Sequence, residues 1–283
     1  MKTALIMEGG AMRGMFTCGV TDVFLEEGIT FDAAAGISAG ACFGCNFKSR
    51  QAGRAIRYNK RYSRDKRFCS LWSLIKTGDL YGVDFCYREL PEVLDPFDNK
   101  AFEENPMEFY VGATDVDTGE IRYHRCTDGG KKDLKWMQAS ASMPLVSRIV
   151  EVDGYRLLDG GIVDPVPYHF MESLGYDRNV YILTQPESFR KEKSSALPLM
   201  RIGLRKTPKM IEAMAVRHEV YNRQMAEISE KESRGEILVI RPPESLGISS
   251  TEHDPNELER VYQTGRREAY KMLPKVRKFL DRE

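Results

Sequence analysis

The chain has 283 residues, enough to bury a substantial core in one large domain or two small ones. Its 42 basic and 42 acidic residues cancel, so no overall charge favours nucleic acid as a partner. No apolar run reaches the roughly 18 residues that a membrane-spanning helix needs, and the apolar part of the N-terminus is too short for a secretion signal.

The six cysteines are irregularly spaced, which together with the missing export signal indicates reduced thiols. We therefore expect a cytoplasmic protein. Cys42 and Cys45 form a Cys-x-x-Cys pair, but a zinc site needs a second pair, and the sequence contains none. Small side chains on one face of a packed helix explain that pair better.

A strand, a glycine loop and a helix open the chain. The apolar run 3–7 predicts a strand buried on both faces. The loop 8–14 follows, and apolar residues then recur at helical spacing up to Gly28, which suits a helix C-cap. A second strand at 33–37 and a helix from Ala39 to about residue 50 repeat this order. Such alternation predicts a parallel sheet covered by helices.

The glycine loop also invites comparison with a dinucleotide-binding fingerprint, which opens a helix in the same way. Gly9 and Gly14 fit the first and last glycines of that motif, but Ala11 occupies the middle position. The second strand should then end in an acidic residue that binds the ribose, and instead it ends in Ile37 and Ser38. The sequence context therefore disfavours nucleotide binding.

The junction of the second strand and its helix has the sequence Gly36-Ile37-Ser38-Ala39-Gly40. A serine with glycines two positions before and two after it has the spacing of a nucleophile elbow. The sharp turn strains the serine backbone, and neighbours without side chains let the strand and the helix pass closely. The hydroxyl is then exposed at a helix N-terminus, which favours a developing negative charge. A plain tight turn is the alternative for this motif alone.

Arg13 lies in the first turn of the first predicted helix, where a cation opposes the helix dipole. Two explanations remain equally open. The side chain points to solvent, or it meets an anion at the site or supports the glycine loop.

Residues 50–105 form an insertion rich in basic and aromatic side chains. We expect helices and loops that lie over the sheet edge. An ordinary, half-buried surface is the default interpretation, and binding of lipid head groups or single strands is the alternative.

The remaining predicted elements are further strands and helices. A hairpin turn explains Asp115-Val116-Asp117-Thr118-Gly119 better than a calcium loop, because the later ligands are missing. Residues 163–167 begin a helix with proline in its opening turn, and no linker marks a second domain. The predicted strands are 108–114, 120–125, 150–158 (two strands), 179–184 and 236–240, and the predicted helices are 135–142, 210–231 and 256–280, the last with a kink at Pro274.

The glycine loop, the Gly-x-Ser-x-Gly junction and the later Asp159-Gly160-Gly161 follow one another in the order of the patatin-like phospholipase family. The chain resembles a bacterial subgroup of that family over residues 7–167, with residues 140–144 as a further family element. The resemblance implies an α/β fold of three α/β/α layers around a mainly parallel central sheet. It also implies a single domain over 1–283, with a core at about 1–185, the insertion 50–105 and an extension at about 195–283.

The resemblance implies a serine–aspartate dyad in a phospholipase A-type carboxylic ester hydrolase that requires no cofactor or metal. Ser38 would attack the ester carbonyl, and Asp159 would accept its proton. Backbone N–H groups of Gly9, Gly10 and Ala11 would form the oxyanion hole, supported by Arg13. Ala11 departs from the usual third glycine, and alanine adopts a positive φ less freely. The motif glycines are Gly14, Gly36, Gly40, Gly160 and Gly161.

An aspartate with an ordinary pKa of about 3.9 is a poor base for an alcohol. It serves only when it is partly desolvated beside the serine and the oxyanion is strongly held. A Ser-His-Asp triad is the rival mechanism. None of its four candidate bases lies in a motif. They are explained more simply as surface histidines or as polar histidines whose hydrogen bonds are satisfied: His124, His169, His218 and His253.

The sequence thus predicts a hydrolase acting on acyl esters of lipids, with no nucleic-acid partner. A lipid- or acyl-binding regulator with a vestigial dyad, and a nucleotide-binding module, are the competing functions. Residues 194–209 mix apolar and basic side chains. They fit a peripheral membrane-contact patch and an ordinary amphipathic core helix equally well.

Overall fold

Eight strands form one sheet through the middle of the computed structural model, which describes residues 1–281. In chain order they are β1 (Lys2–Met7), β2 (Ala33–Ile37), β3 (Glu108–Asp115), β4 (Ile121–Cys126), β5 (Val150–Val152), β6 (Tyr155–Asp159), β7 (Tyr176–Ile182) and β8 (Leu238–Ile240).

The sheet has the order β5-β6-β3-β2-β1-β7-β8, and β4 pairs with β3 as well. The strands β1, β2, β3, β7 and β8 are parallel to one another. The strands β4 and β6 run antiparallel to β3, and β5 runs antiparallel to β6. The mainly parallel sheet predicted from the alternating elements is therefore confirmed.

Helices cover both faces of this sheet. They are α1 (Gly14–Glu26), α2 (Ala39–Lys48), α3 (Arg54–Tyr62), α4 (Leu71–Thr77), α5 (Asn99–Glu104), α6 (Lys131–Ser140), α7 (Tyr168–Ser173), α8 (Leu197–Gly203), α9 (Pro208–Ser233) and α10 (Pro255–Leu280). A π-helix at Phe85–Leu94 and 3₁₀ turns at Ala11–Arg13 and Gly160–Ile162 complete the described elements. None of the helices within residues 1–281 is long and apolar enough to cross a membrane.

The side chains of β1 alternate between two hydrophobic clusters, as expected of a strand buried on both faces. Leu5 and Met7 join the cluster formed with α1, α2 and α10. Ala4 and Ile6 join the cluster formed with α7 and α9. Because each face has its own helical layer, the three-layer α/β/α architecture predicted from the family resemblance is confirmed.

The C-terminal helix α10 packs directly against α1 because glycines meet backbone at the contact. A Cβ atom added at Gly19 would lie 2.1 Å from the carbonyl oxygen of Tyr262, and one added at Gly265 would lie 2.1 Å from that of Phe16. No other residue type fits at such a distance. The end of the chain is thus built into the same helical layer as its beginning.

Several predicted boundaries were wrong. The helix expected at 135–142 spans Lys131–Ser140, because Asp133 accepts N–H groups of the preceding loop and fixes an earlier start. The helix expected from 163 begins at Tyr168, after two prolines that cannot donate backbone hydrogen bonds. The strand β8 starts two residues later than predicted.

Candidate active site

The strands β2 and β6 pair with consecutive stretches along one edge of β3, and their carboxyl ends meet there. This junction positions the candidate dyad. Ile37 of β2 pairs with Gly112, and Asp159 of β6 pairs with the next residue, Ala113. The two strands approach from opposite directions, so their carboxyl ends meet. Gly160 permits the approach, since an added Cβ atom there would lie 2.3 Å from the carbonyl oxygen of Gly112.

Ser38 occupies the turn between β2 and α2 with φ 55° and ψ −119°, a strained conformation for a residue other than glycine. Its flanking glycines permit the turn. An added Cβ atom at Gly36 would lie 2.4 Å from the backbone of Gly40, and one at Gly40 would lie 2.4 Å from the carbonyl oxygen of Met7. The predicted elbow geometry is thus present, and it holds the half-buried Ser38 at the N-terminus of α2.

Ser140 anchors the elbow to the sheet. Its Oγ accepts the backbone N–H of Ser38 at 2.8 Å and donates to the carbonyl oxygen of Gly112 at 2.6 Å. Ser140 belongs to the family element 140–144, for which no role was predicted. Its two hydrogen bonds place it as the residue that ties the strained turn to β3.

Asp159 is only 2% exposed. Its Oδ1 accepts the N–H of Gly161 at 2.7 Å, which orients the carboxyl group. Its Oδ2 is buried and has no hydrogen-bond partner within residues 1–281. One oxygen is therefore fixed by backbone, and the other is left for a further donor.

Burial raises the pKa of the Asp159 carboxyl above its ordinary value. The neighbouring Ser38 hydroxyl, the positive charge of Arg217 and the N–H of Gly161 oppose that rise. No hydrogen bond of ordinary length joins Ser38 to Asp159, although the hydroxyl is near enough to lower the pKa of the carboxyl. Catalytic hydrogen bonds are often this loose before substrate binds.

The glycine loop lies directly against Ser38. A Cβ atom added at Gly9 would lie 3.0 Å from the Cβ atom of Ser38. Ala11 has φ 47°, so alanine does adopt the positive φ that the usual glycine would supply, at the cost of strain. The N–H groups of Gly9, Gly10 and Ala11 donate no hydrogen bond within the described chain. Three free donors thus lie in the loop that adjoins Ser38 through Gly9 and lines the same cavity.

Close packing on both sides fixes the position of the glycine loop. A Cβ atom added at Gly14, the first residue of α1, would lie 2.9 Å from the Cβ atom of Ala39 at the start of α2. One added at Gly10 would lie 2.6 Å from Oγ1 of Thr184. The loop is therefore clamped between α2 on one side and the end of β7 on the other.

Glu8 is buried at the base of the loop and links it to the second half of the chain. Its Oε2 accepts the backbone N–H of Thr184 at 2.6 Å and the Thr184 hydroxyl at 3.1 Å. Its Oε1 accepts the hydroxyl of Tyr221 at 2.9 Å. Thr184 also donates to the carbonyl oxygen of Gly9 at 3.1 Å. Sequence reasoning missed this network, whose members lie far apart along the chain.

Ser38 and Asp159 line one cavity of about 530 Å³, within the size range of small-molecule sites. Much of the wall is apolar and comes from the insertion, whose aromatic side chains turn inward. We call this the apolar part; its members include Phe43, Tyr58, Phe68, Leu80, Tyr81, Tyr87, Leu90, Phe97, Met137 and Val146.

Several basic residues of the insertion are engaged elsewhere, which favours the ordinary interpretation of that surface. Arg54 and Arg57 both pair with Asp95, and Arg67 pairs with Asp65 and Glu89.

Four cations line the cavity. Arg54 is paired with Asp95, and we call the other three the cationic part: Arg13, Lys191 and Arg217. Arg13 is half-buried and lines this cavity. Burial lowers the pKa of Lys191 to about 8, and the charge of Arg217 contributes. Lys191 and Arg217 were missed by sequence reasoning. The signal that could have found Lys191 is its place after β7, because ligands bind at the carboxyl ends of parallel strands.

All four histidines lie outside the cavity. His124 contacts Asp133 at 2.7 Å, His169 contacts Glu227 at 3.1 Å, and His253 contacts the carbonyl oxygen of Ser63 at 2.6 Å. His218 lies near Glu219. The rival triad therefore has no base beside Ser38.

Within residues 1–281, one group has the composition of a metal site: His124, Cys126 and Asp133. Its carboxylate is fully used, because Asp133 Oδ2 accepts three backbone N–H groups and Oδ1 contacts His124. The group therefore serves to fix the start of α6. Cys42 and Cys45 are free thiols inside the protein, and burial raises the pKa of both.

Comparison with known proteins gives a consistent result. The family described as patatin-like phospholipase matches residues 5–171, and a domain of unknown function, DUF6363, matches residues 207–281. The uncharacterized protein YjjU of Escherichia coli (strain K12) is 30% identical over 191 residues, covering 65% of this chain and 52% of YjjU. Lysophospholipase NTE1 of Coccidioides immitis (strain RS) is 29% identical over 182 residues, covering 62% of this chain and 11% of NTE1.

Among solved structures, the crystal structure of VipD from Legionella pneumophila aligns with a TM-score of 0.48 and 12% identity, over 97% of this chain and 67% of VipD. The chain spans about half the length of YjjU and a small part of NTE1. The patatin-like match covers more than half of the chain and includes the glycine loop, the elbow and the end of β6. The chain belongs to the patatin-like phospholipase family.

Proposed function

We propose that this chain is a serine hydrolase that cleaves acyl esters of lipids through a Ser38–Asp159 dyad. The observation that carries the proposal is one juxtaposition. A strained serine adjoins a buried carboxylate whose Oδ2 has no partner among the described residues, and the free N–H groups of the glycine loop lie against that serine. Membership of the family and the printed function of the NTE1 relative support the same activity.

In the first step, the Oγ of Ser38 bonds to the ester carbonyl carbon while its proton passes to Asp159. The carbonyl oxygen becomes an oxyanion, and the N–H groups of Gly9, Gly10 and Ala11 stabilise it together with the dipole of α2. The bond to the alcohol then breaks, and the alcohol leaves with the proton from Asp159. The acyl group remains as an ester of Ser38.

In the second step, water takes the place of the alcohol. Asp159 removes a proton from the water as the water oxygen attacks the acyl carbon, and the same N–H groups hold the second oxyanion. Collapse returns the proton to Ser38 and releases a fatty acid. The raised pKa of Asp159 suits a carboxylate that must accept and return a proton in this way.

The apolar part of the cavity would hold the acyl chain. Its wall begins one helical turn beyond Ser38, where the Cys42 sulfur lies 3.5 Å from the hydroxyl of Tyr87. Burying the chain against this wall removes apolar surface from water, at roughly 25 cal/mol per Å².

Substitution of each dyad residue tests the proposal. We expect Ser38→Ala and Asp159→Asn each to lower kcat for a p-nitrophenyl ester by at least about 10³-fold, as for other residues that act as a unit. Ser233→Ala and Asp177→Asn are matched controls, because both residues are exposed and lie outside the cavity. Full activity in a correctly folded Ser38→Ala or Asp159→Asn variant would contradict the proposed dyad. Lipid binding without hydrolysis by the natural sequence would favour a binding regulator.

We further propose that the protein contacts membranes peripherally beside the cavity. The sequence left two interpretations of residues 194–209 open, a membrane-contact patch and an amphipathic core helix, and the segment has features of both. Leu197 and Met200 of α8 are buried in a core cluster, whereas Leu199 and Ile202 are 61% and 72% exposed. Three cations accompany this exposed face without an acidic residue from 196 to 206: Arg201, Arg205 and Lys206. Such a face suits an anionic bilayer surface.

A second exposed apolar face supports this proposal. On α4, Leu71 and Ile75 are 71% and 87% exposed, and Trp72 is 50% exposed. The loop between α6 and β5 connects both helices to the cavity. Val146 lines the cavity and accepts the N–H of Leu80, just after α4, at 2.8 Å, and Leu145 packs against the cluster that contains Leu197 and Met200 of α8.

Co-sedimentation with liposomes tests the membrane contact. Replacing Leu71 and Ile75 by serine should reduce binding to anionic vesicles while hydrolysis of a water-soluble ester persists. Binding that is unchanged by these substitutions, or equal on neutral and anionic vesicles, would contradict the proposed contact.

A further inference from the structure

One face of helix α9 is apolar towards both ends and polar in the middle. Met214 and Ile228 are buried in hydrophobic clusters. Between them, Arg217, Tyr221 and Gln224 recur at helical spacing, which places them on the same side of the helix. Tyr221 and Gln224 are buried, and Arg217 is half-buried. Polar groups therefore occupy the centre of this packed face.

A helix that only packs against a core does not need polar groups at the centre of its buried face. Burying a polar group is costly unless it forms a hydrogen bond, and apolar side chains of similar volume often stabilise a core at least as well. Each of the three polar groups on α9 has its hydrogen-bond partner in a segment beside the candidate dyad. The partners, rather than the packing, explain why these residues are polar.

Arg217 holds the turn that carries the dyad aspartate. Its Nε donates to the carbonyl oxygen of Gly161 at 2.8 Å. The N–H of Gly161 donates to Oδ1 of Asp159 at 2.7 Å. Arg217 and Asp159 therefore bind the same glycine, one through its carbonyl group and the other through its amide. The position of that glycine sets the orientation of the carboxyl group.

Gln224 holds the same turn from a point two helical turns further along α9. Its Nε2 donates to Oδ1 of Asp164 at 2.7 Å. The backbone N–H of Asp164 in turn donates to the carbonyl oxygen of Gly160 at 3.0 Å. The turn formed by residues 159–161 is therefore connected to one helix face at two places.

Tyr221 lies between these two residues and contacts the other side of the site. Its hydroxyl donates to Oε1 of Glu8 at 2.9 Å. Glu8 precedes Gly9 directly, and its Oε2 binds Thr184, which donates to the carbonyl oxygen of Gly9 at 3.1 Å. The same face of α9 is therefore connected to the turn of the proposed base and to the loop of the proposed oxyanion hole.

We propose that Arg217 is a positioning residue for Asp159, and that the face of α9 formed by Arg217, Tyr221 and Gln224 aligns the aspartate turn with the glycine loop. This inference rests on the proposed function and adds positioning residues to it. Proton transfer from Ser38 requires the carboxylate and the oxyanion donors to keep a fixed relative position, because small displacements of reacting groups are costly.

The proposal gives a role to the segment of unknown function. The three positioning residues lie in the segment that matches DUF6363, residues 207–281. The patatin-like match, residues 5–171, contains the proposed dyad and the glycine loop but none of the positioning residues. The C-terminal segment therefore completes an active site whose reacting groups lie in the patatin-like segment.

Kinetics on a small ester tests this role in the full chain. We choose p-nitrophenyl acetate because it carries no net charge for an arginine to bind. In Arg217→Ala, we expect kcat to fall by roughly 10- to 100-fold and KM to change by less than about threefold, as for a misplaced catalytic group. Arg217→Lys, which keeps a charged donor, should retain much of the rate, and methylguanidinium should restore part of it to Arg217→Ala. Arg223→Ala, at an exposed arginine of the same helix, should leave kcat and KM unchanged.

Two kinetic results would overturn the proposal. A raised KM with unchanged kcat in Arg217→Ala would assign the arginine to substrate binding alone. A fall in kcat that neither the lysine variant nor methylguanidinium reverses would indicate a general loss of structure instead of a lost positioning contact.

Nuclear magnetic resonance supplies a readout that does not depend on hydrolysis. The amide proton of Gly161 binds the Asp159 carboxylate, so its chemical shift should change when that carboxylate is titrated. We expect the amplitude of this change to shrink in Arg217→Ala and to be retained in Arg223→Ala. An amplitude in Arg217→Ala equal to that of the natural sequence would overturn the positioning role. A smaller amplitude, combined with no ester hydrolysis by the natural sequence, would support the positioning role and contradict the proposed function.

Discussion

The catalytic and the cationic parts of the cavity are built in different ways. Ser38, Asp159 and the glycine loop are fixed by backbone: by a positive φ, by strand pairing, and by glycines at which an added Cβ atom would lie 2.3–3.0 Å from its neighbours. Lys191 and Arg217 reach the same space through long side chains from a loop and from α9. The backbone around Ser38 is therefore held locally, whereas the positions of the cationic side chains depend on how β7 and α9 pack.

Glu8 joins the two parts. It follows β1 directly, and its carboxylate holds both the end of β7 and the hydroxyl of Tyr221 on α9. Two contacts thus link the cationic part to the residues around Ser38: this network, and the hydrogen bond from Arg217 to the carbonyl oxygen of Gly161.

After the dyad substitutions, the largest expected effect around Ser38 comes from Gly9→Ala. Its Cβ atom would lie 3.0 Å from both the Ile37 carbonyl oxygen and the Ser38 Cβ atom. The loop must then shift away from the serine, and we expect kcat to fall by about 10²- to 10³-fold, as for loss of an oxyanion donor. Steady-state kinetics measures this. In the control Gly130→Ala, the added atom meets the flexible Asp128 carboxylate at the same 3.0 Å and should leave kcat unchanged.

A smaller effect should follow from Tyr221→Phe, which tests the link between the two parts. The substitution removes one hydrogen bond to buried Glu8, and we expect a loss of about 1 kcal/mol in the free energy of unfolding. We also expect kcat to fall several-fold, because Glu8 supports the loop. Urea denaturation and kinetics would be compared with Tyr155→Phe, a change at an exposed tyrosine of β6. Equal effects in the two variants would contradict the link.

The pH profile measures the coupling of Arg217 to Asp159. Asp159 must be ionised to accept a proton, so kcat/KM should fall as the pH drops through its pKa. Because burial raises that pKa, the acid limb should lie above pH 3.8, the ordinary value. Arg217 lowers the pKa, so Arg217→Gln should move the limb to higher pH on a neutral ester. An acid limb at the same pH in Arg217→Gln as in the natural sequence would show that Arg217 does not influence the pKa of Asp159.

The smallest expected effect comes from Ala11→Gly. Ala11 has φ 47°, and glycine removes that strain while gaining freedom in the unfolded chain, so the net stabilisation should be at most about 1 kcal/mol. Activity should change little, since the N–H donor remains. Arg50→Gly, at an exposed residue with φ 56°, is the matched control for stability. A large loss of activity would show that the alanine methyl group itself positions the loop.

The residues that the structure brings together around Ser38 could be selected from the sequence because each belongs to a short motif with a backbone requirement. Ser38 sits between close-packed glycines, and Asp159 ends a strand at an Asp-Gly dipeptide. Lys191 and Arg217 could not be predicted in this way. Their side chains reach the cavity only because β7 and α9 pack beside β1, and neither helical periodicity nor charge along the chain specifies that arrangement.

Helix boundaries failed for a similar reason. The start of α6 at Lys131 depends on hydrogen bonds between Asp133 and the preceding loop, which residue propensity does not show. Conversely, β1 and β2 were predicted closely, because strands buried on both faces are continuous apolar runs.

Covalent labelling tests the central claim most directly. A fluorophosphonate probe, followed by peptide mass mapping, should modify the natural sequence at Ser38 alone, and the rate should fall sharply in Asp159→Asn because the hydroxyl loses its base. Failure of the probe to react at position 38, or an equal rate in Asp159→Asn, would contradict the account.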